Sequence, residues 1–376
     1  MMSRHSKLRL ALFRLSLTFS LIVTSQAQTQ EDPPPAAATK ACQILNETLP
    51  GLVFFPGATN YASDNFHYAA TSTQNSTCTV EPLTNEDVSA ILKIVGQEDV
   101  RSPFAVKGGG HTSNVGHSST TGVMISLVKF DQITANDPST TVTLGPAATW
   151  DQVYAKLEPL NLTVVGGRIP GVGVGVVYDR PVEQPPAVFG EILSLPLTRN
   201  TTKARTLTDL TLGASQSPQT GYTQHIIPTL HYTVPIMRAM KTQVDAAVAK
   251  AIAEERSIAT IAMSCEPYIN DFAHSVDSAY PHSPSRPVTP GHPTSFYNDV
   301  ADRDYFEQLI QEMSGAIHVV VIQEGQGLPD DIHYPNYALA DTLVELIYGE
   351  NLPRLREIKE RADPTDVMGL SGGFKI

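Results

Sequence analysis

Three consecutive glycines, Gly108, Gly109 and Gly110, stand directly before His111 in the stretch FAVKGGGHTSNVGHSSTTGVMISL, residues 104–127. Glycine loses more backbone freedom on folding than any other residue, so three in a row imply a use for bare backbone. Successive unobstructed N–H groups can converge on an anion such as a phosphate. An imidazole at the edge of such a loop is a nucleophile or a proton carrier. No Gly-Lys-Ser/Thr follows, so this is not the Walker A loop. No helical pattern starts directly behind it, so it is not the dinucleotide fingerprint of a βαβ unit. The alternative is a tight turn beside a surface histidine, and the residue types alone leave both open. His117, six residues further on, is expected to be a polar loop residue. No Cys/His spacing suggests zinc, and no metal site is expected.

The surrounding pattern suits a ligand held on backbone amides at strand ends. FAV (104–106) reads as a short strand running into the glycines. GVMISL (122–127) and TTVTLGP (140–146) alternate like strands, and LTVVGG (162–167) reads as another ending in glycines. LTNEDVSAILKIV reads as a helix, with Thr84 and Asp87 as a capping box and Val88, Ile91, Leu92 and Val95 on one face. TWDQVYAKLEPL is a short helix capped by Thr149. Beyond Gly175 come an irregular proline-rich stretch, a helix over 236–255 and a strand over 257–264. A Pro/Ser loop is expected over 281–296, then a helix in DYFEQLIQEM, a strand in AIHVVVIQ and a final helix in ENLPRLREIKERA. Strands and helices so mixed indicate an α+β fold.

The first 27 residues read as a secretory signal peptide. Arg4, Lys7, Arg9 and Arg14 precede an apolar run too short to span a bilayer, and Ser25-Gln26-Ala27 supplies a cleavage site. Residues 28–41 read as a Pro/Ala linker. The whole chain carries 26 Lys+Arg against 38 Asp+Glu. Removing the leader leaves 22 basic residues and a formal charge of −16. An acidic surface argues against nucleic acid and anionic lipid as partners. Secretion fits four N-x-S/T sequons, at Asn46, Asn75, Asn161 and Asn200, and makes a Cys42–Cys78 disulfide plausible, with Cys265 left over. A monomer is expected.

The run FAVKGGGHTSNVG, GVMISL, VTLGPAATWDQVYAKL, LTVVGGRIPGVGVG resembles the flavin-binding domain of the vanillyl-alcohol-oxidase-type family. More narrowly, it resembles the fungal berberine-bridge-enzyme-like oxidoreductases. YPNYAL (334–339), YGENLPRLREIKERADPTDVM (348–368) and GGFK (372–375) are similar to that family's closing segment. The resemblance implies an FAD-binding domain over 42–175 and an α+β substrate domain over 176–376. It implies that the backbone from Lys107 through Gly108, Gly109 and Gly110 to His111 wraps the FAD pyrophosphate. His111 aligns with the histidine that, in many members, bonds covalently to the flavin 8α-methyl group. Thr112, Ser113, Asn114 and Gly116 would complete the loop, and Gly171, Val172 and Gly173 belong to a second glycine-rich wall. Members with two covalent links place a cysteine near the position of Arg168, and its absence here implies a single link. Asn336 and Tyr337 match a C-terminal Asn-Tyr pair that approaches the flavin ring. The implied activity is two-electron oxidation of a small organic substrate (a sugar, an alkaloid or a secondary metabolite), with O2 reoxidising the flavin. The resemblance identifies no catalytic base in this chain.

The family pattern is interrupted after Gly175. A third glycine-rich stretch and the strands that follow it are absent, a gap on the order of a hundred residues, the size of a small domain. Both domains are therefore expected to be incomplete, poorly coupled to each other and left with unpaired strand edges. The alternative function is a non-catalytic remnant that binds FAD weakly or not at all.

Overall fold

A computed structural model describes residues 35–136, 141–164, 182, 184–194, 206, 218–267, 278–283 and 285–376. Helix α1 spans Pro35–Thr48 and buries Ala38, Ala41, Cys42 and Leu45, one face at helical spacing. Its start corrects the expected linker over 28–41. Pro35 fits a first turn, where no N–H is needed, and Ala36, Ala37 and Ala38 are strong helix formers. Strand β1 (Val53–Phe54), helix α2 (Thr59–Asn65), strand β2 (Cys78–Val80) and helix α3 (Asn85–Val95) follow. The α3 capping box is present: the Thr84 hydroxyl accepts from the Asp87 amide and the Asp87 carboxylate accepts from the Thr84 amide. Strands β3 (Phe104–Lys107) and β4 (Val123–Ser126) come next, then the β5 (Ile133–Ala135) and β6 (Val142–Leu144) hairpin and helix α4 (Trp150–Leu157).

The first sheet has the order β1-β2-β4-β3. The β1–β2 pair is antiparallel, while β2 and β3 both run parallel to β4. Strand β4 is buried throughout, as expected for a parallel strand covered on both faces. Beneath it Leu45, Val80, Ile91, Val95, Phe104, Val123 and Ile125 form one core. A disulfide joins Cys42 of α1 to Cys78 of β2, with 6.0 Å between the Cα atoms. It closes a loop of 36 residues in sequence separation. In the chain-entropy account such a loop contributes about 3–4 kcal/mol. Leu162 to Val164 are not in a strand, and the rest of the LTVVGG stretch, with Gly171, Val172 and Gly173, lies outside the described residues.

Helix α5 (Gly190–Leu193) precedes the second sheet, built from β7 (Gly221–Gln224), β8 (Ile227–Thr229), β9 (Ile258–Cys265) and β10 (Thr289–Tyr297). Helices α6 (Val234–Ala253) and α7 (Arg303–Gln323) pack on it, followed by α8 (Val344–Tyr348) and α9 (Leu352–Ala362). Two sequence expectations are corrected here. The Pro/Ser loop over 281–296 becomes, from Thr289, the central strand of this sheet, pairing with β9 on one side and with β8 and then β7 on the other. Pro293 is accommodated where β8 and β7 part, at His225 and Ile226, and Pro290 faces another proline, Pro228. AIHVVVIQ is not a strand but the second half of α7. Its β-branched run is overridden by packing: Phe306, Leu309, Met313, Ile317 and Val321 recur at helical spacing and are all buried.

Residues from Asp32 onward form one unit, against the expectation of two poorly coupled halves. Gln219 donates its amide to Tyr68 O at 2.8 Å, and the amides of Ala70 and Thr71 donate to Gln219 O and Thr220 O. The C-terminal segment returns to the first core, where Leu370 and Val367 pack. Arg101 donates to the carbonyls of Thr365 and Asp366 at 2.7 and 3.1 Å. Gly372 lies so close to Gly116 that a Cβ there would stand 1.5 Å from the Gly116 oxygen.

Candidate functional site

The glycine loop leaves β3 at Lys107, whose carbonyl accepts from the Leu127 amide at 2.9 Å. Both ends of the loop are pinned. A Cβ on Gly108 would stand 2.4 Å from the Pro146 oxygen. Gly110 is buried with φ +66°, a left-handed conformation, and its carbonyl accepts from the Tyr68 amide at 3.0 Å. Between them Gly109 is open: a Cβ added there would meet nothing within 4 Å. The result is a stretch of exposed backbone between two fixed points. Lys107 donates to Ser63 O at 3.2 Å, and burial lowers its pKa while the Asp64 carboxylate opposes that shift. Asp64 is itself buried, accepts from the Thr79 hydroxyl at 2.5 Å, and has its pKa raised by burial.

His111 is held by aromatic rings. Tyr68 stacks on it, with centroids 4.5 Å apart and planes 15° apart, and Tyr222 meets it edge-on at 6.1 Å. The residue as a whole stays exposed to solvent. The protein packed around the ring lowers its pKa and so favours the neutral, nucleophilic form. Thr112 is half-buried and its hydroxyl accepts from the Asn114 amide at 3.1 Å. Ser113 and Asn114 are buried. Gly116 has φ +83° and donates its amide to Ser119 Oγ at 3.1 Å. His117 packs edge-on against Phe374 at 4.9 Å, and burial holds its pKa down at about 4. Among the described residues no cluster of three His, Cys, Asp or Glu could hold a metal ion.

Asn336 and Tyr337 lie in a turn, not a strand, and that turn is tied once to the glycine loop and once to β7. The Asn114 side-chain amide donates to Ala338 O at 2.9 Å. On the other side Tyr222 donates its hydroxyl to Gln224 Oε1, and Gln224 Nε2 donates to Asn336 O at 2.6 Å. The Asn336 amide donates to the Tyr334 hydroxyl at 2.7 Å. The Tyr337 hydroxyl donates to Glu266 Oε1 at 3.0 Å, and its ring packs on His292 at 4.0 Å. Sequence reading missed Tyr68, Tyr222, Gln224 and Glu266. Only Glu266 left a trace, as a carboxylate at a strand end directly before Pro267. The others are defined by contacts between distant segments.

Known proteins match this chain in two stretches. Residues 76–177 match the family described as FAD binding domain, and residues 333–371 match the one described as berberine and berberine like. The first contains the glycine loop and the second contains Asn336 and Tyr337. In these two stretches the chain is similar to FAD-linked oxidoreductases of the berberine-bridge-like type. An FAD-dependent monooxygenase of Aspergillus calidoustus is 35% identical over 164 residues, 42% of this chain and 31% of that protein. One from Penicillium terrestre is 45% identical over 103 residues, 27% of this chain and 20% of its own length. The matched region thus spans a third or less of these relatives. Among solved structures, a carbohydrate oxidase from Microdochium nivale superposes with a TM-score of 0.65 at 13% identity, over 87% of this chain and 98% of that one. The 6-hydroxy-D-nicotine oxidase of Arthrobacter nicotinovorans gives 0.63 at 12% identity, over 87% and 98%. These likenesses show the fold, an α+β architecture of the FAD-binding type.

FAD is the cofactor these matches define, and the local geometry fits it. The open backbone at Gly109 is a place where a diphosphate can approach and a side chain would intrude. No helix among the described residues is long and apolar enough to cross a membrane.

Proposed function

We propose that this protein is a secreted, glycosylated FAD-dependent oxidoreductase that oxidises a small organic substrate and passes the electrons to O2. The observation that carries this reading is the Asn114 hydrogen bond that ties the glycine loop to the Tyr337 turn, a turn that Gln224 of β7 also holds. Lys107 to Gly116 would hold the FAD, with His111 as the residue of covalent attachment and Gly171, Val172 and Gly173 on a second wall. Bound flavin supplies two-electron acceptance from the substrate and reoxidation by O2. The chain's own residues supply the proton chemistry. Tyr337 already donates to Glu266, so a substrate hydroxyl at the phenol oxygen would lose its proton to Tyr337 as Tyr337 gives its own to Glu266. His292, packed on the Tyr337 ring, fixes that ring's plane. Secretion is supported by the Cys42–Cys78 disulfide and by the exposed sequons at Asn46, Asn75 and Asn161.

The test is a pair of conservative variants. Tyr337→Phe and Glu266→Gln are each expected to lower the turnover of flavin-loaded protein by about 10²–10⁴-fold, the usual worth of a general base. Both should leave flavin content unchanged. Wild-type turnover in both variants would remove the pair from the reaction.

A further inference from the structure

Away from the glycine loop, three sulfurs converge where the start of α6 meets the end of β9. The Cys265 Sγ lies 3.6 Å from Met240 Sδ and 3.9 Å from Met237 Sδ. A fourth sulfur-bearing side chain, Met263, stands two residues before Cys265 on β9. Its methyl group and that of Met240 would both lie against a Cβ placed on Gly291, at 3.2 and 3.3 Å. Cys265 is not in a disulfide, and it carries a single thiol proton to serve two thioethers. The two methionines are unlike in burial. Met240 is 3% exposed, whereas Met237 is 47% exposed and still turns its sulfur toward Cys265. The group is thus closed on its inner side and open to solvent on its outer side.

We propose that Met237, Met240 and Cys265 form a binding site for a soft monovalent cation, copper(I). A metal–thiolate bond is about 2.3 Å long, so three sulfurs in a plane around one ion stand about 4 Å apart. The two separations from Cys265, 3.6 and 3.9 Å, are close to that spacing. The donor set selects the metal. A thiolate with thioethers suits copper(I), whereas magnesium, calcium and manganese want oxygen and zinc adds imidazole. The nearest carboxylate in sequence, Glu266, is engaged by the Tyr337 hydroxyl. Charge balances too: the Cys265 S–H bond breaks, an S–Cu bond forms, and the proton leaves to solvent. A cation and a thiolate then make a neutral unit, so no unpaired charge is buried. The oxidation state of copper does not change in this step.

The test is competition between the purified full chain and a chromogenic copper(I) chelator, without oxygen and with ascorbate holding the copper reduced. One copper per chain should be withdrawn from the chelator. Cys265→Ser should lose that copper. Met237→Leu changes a side chain that is half in solvent and leaves the fold intact, and it should loosen the ion measurably. No withdrawal by the parent, or either variant binding as the parent does, would overturn the proposal.

Discussion

The side-chain amide of Asn114 donates to the backbone carbonyl of Ala338 at 2.9 Å, with both residues buried. One hydrogen bond thus joins the loop that follows the three glycines to the turn that carries Asn336 and Tyr337. Asn114→Ala would leave the Ala338 carbonyl buried without its donor, at a cost of about 1–3 kcal/mol. Chemical denaturation should show that loss, and flavin affinity should fall with it. A variant as stable as the parent would mean that the two segments are held together without this bond.

Gly108 and Gly109 should separate folding from binding. A Cβ at Gly108 meets the Pro146 oxygen at 2.4 Å, so Gly108→Ala should destabilise the protein by about 1–3 kcal/mol. A Cβ at Gly109 meets nothing within 4 Å, so Gly109→Val should leave stability within about 0.5 kcal/mol of the parent. Flavin binding should nevertheless be lost in Gly109→Val, because the side chain would stand where the diphosphate approaches. Thermal unfolding and flavin fluorescence titration measure the two effects. Unimpaired flavin binding by Gly109→Val would contradict the role given to this loop.

Several histidines in the fold have pKa values depressed by burial, including His117 and His333, each to about 4. A lowered histidine pKa means that the unfolded chain takes up the proton first as pH falls. Stability is therefore full above the ordinary histidine value of 6.5 and is lost as the pH falls from there toward 4. Thermal midpoints measured across that window should decline, and His117→Phe should flatten part of the decline. A midpoint that is constant across the window would show these rings to be solvated.

The sequence made some parts of this molecule legible and hid others for physical reasons. The α3 capping box, the α6 helix, read two residues late at both ends, and the short strands β3 and β4 are local patterns that the sequence shows. Strand β10 was hidden because its prolines at 290 and 293 forbid an ordinary central strand, and only the break between β8 and β7 accommodates them. The second half of α7 was hidden because His318, Val319, Val320 and Val321 have strand propensity, overridden by the face that Met313, Ile317 and Val321 present to the core. The three glycines announced bare backbone. Nothing near them announced that Tyr68 and Tyr222, from two distant segments, would enclose His111. Glu266 showed only its place at a strand end, because its significance lies in the Tyr337 hydroxyl that reaches it.

The central claim is that the Gly108–Gly110 loop holds FAD and that His111 fastens it. Purified protein, incubated with FAD and freed of excess, should be yellow, with flavin absorbance in the visible. After acid precipitation and proteolysis the flavin should migrate with the peptide that contains His111, and His111→Ala should abolish that attachment. Colourless protein would contradict the FAD site and favour the non-catalytic remnant. Flavin released freely by acid, or still attached in His111→Ala, would contradict the covalent role of His111.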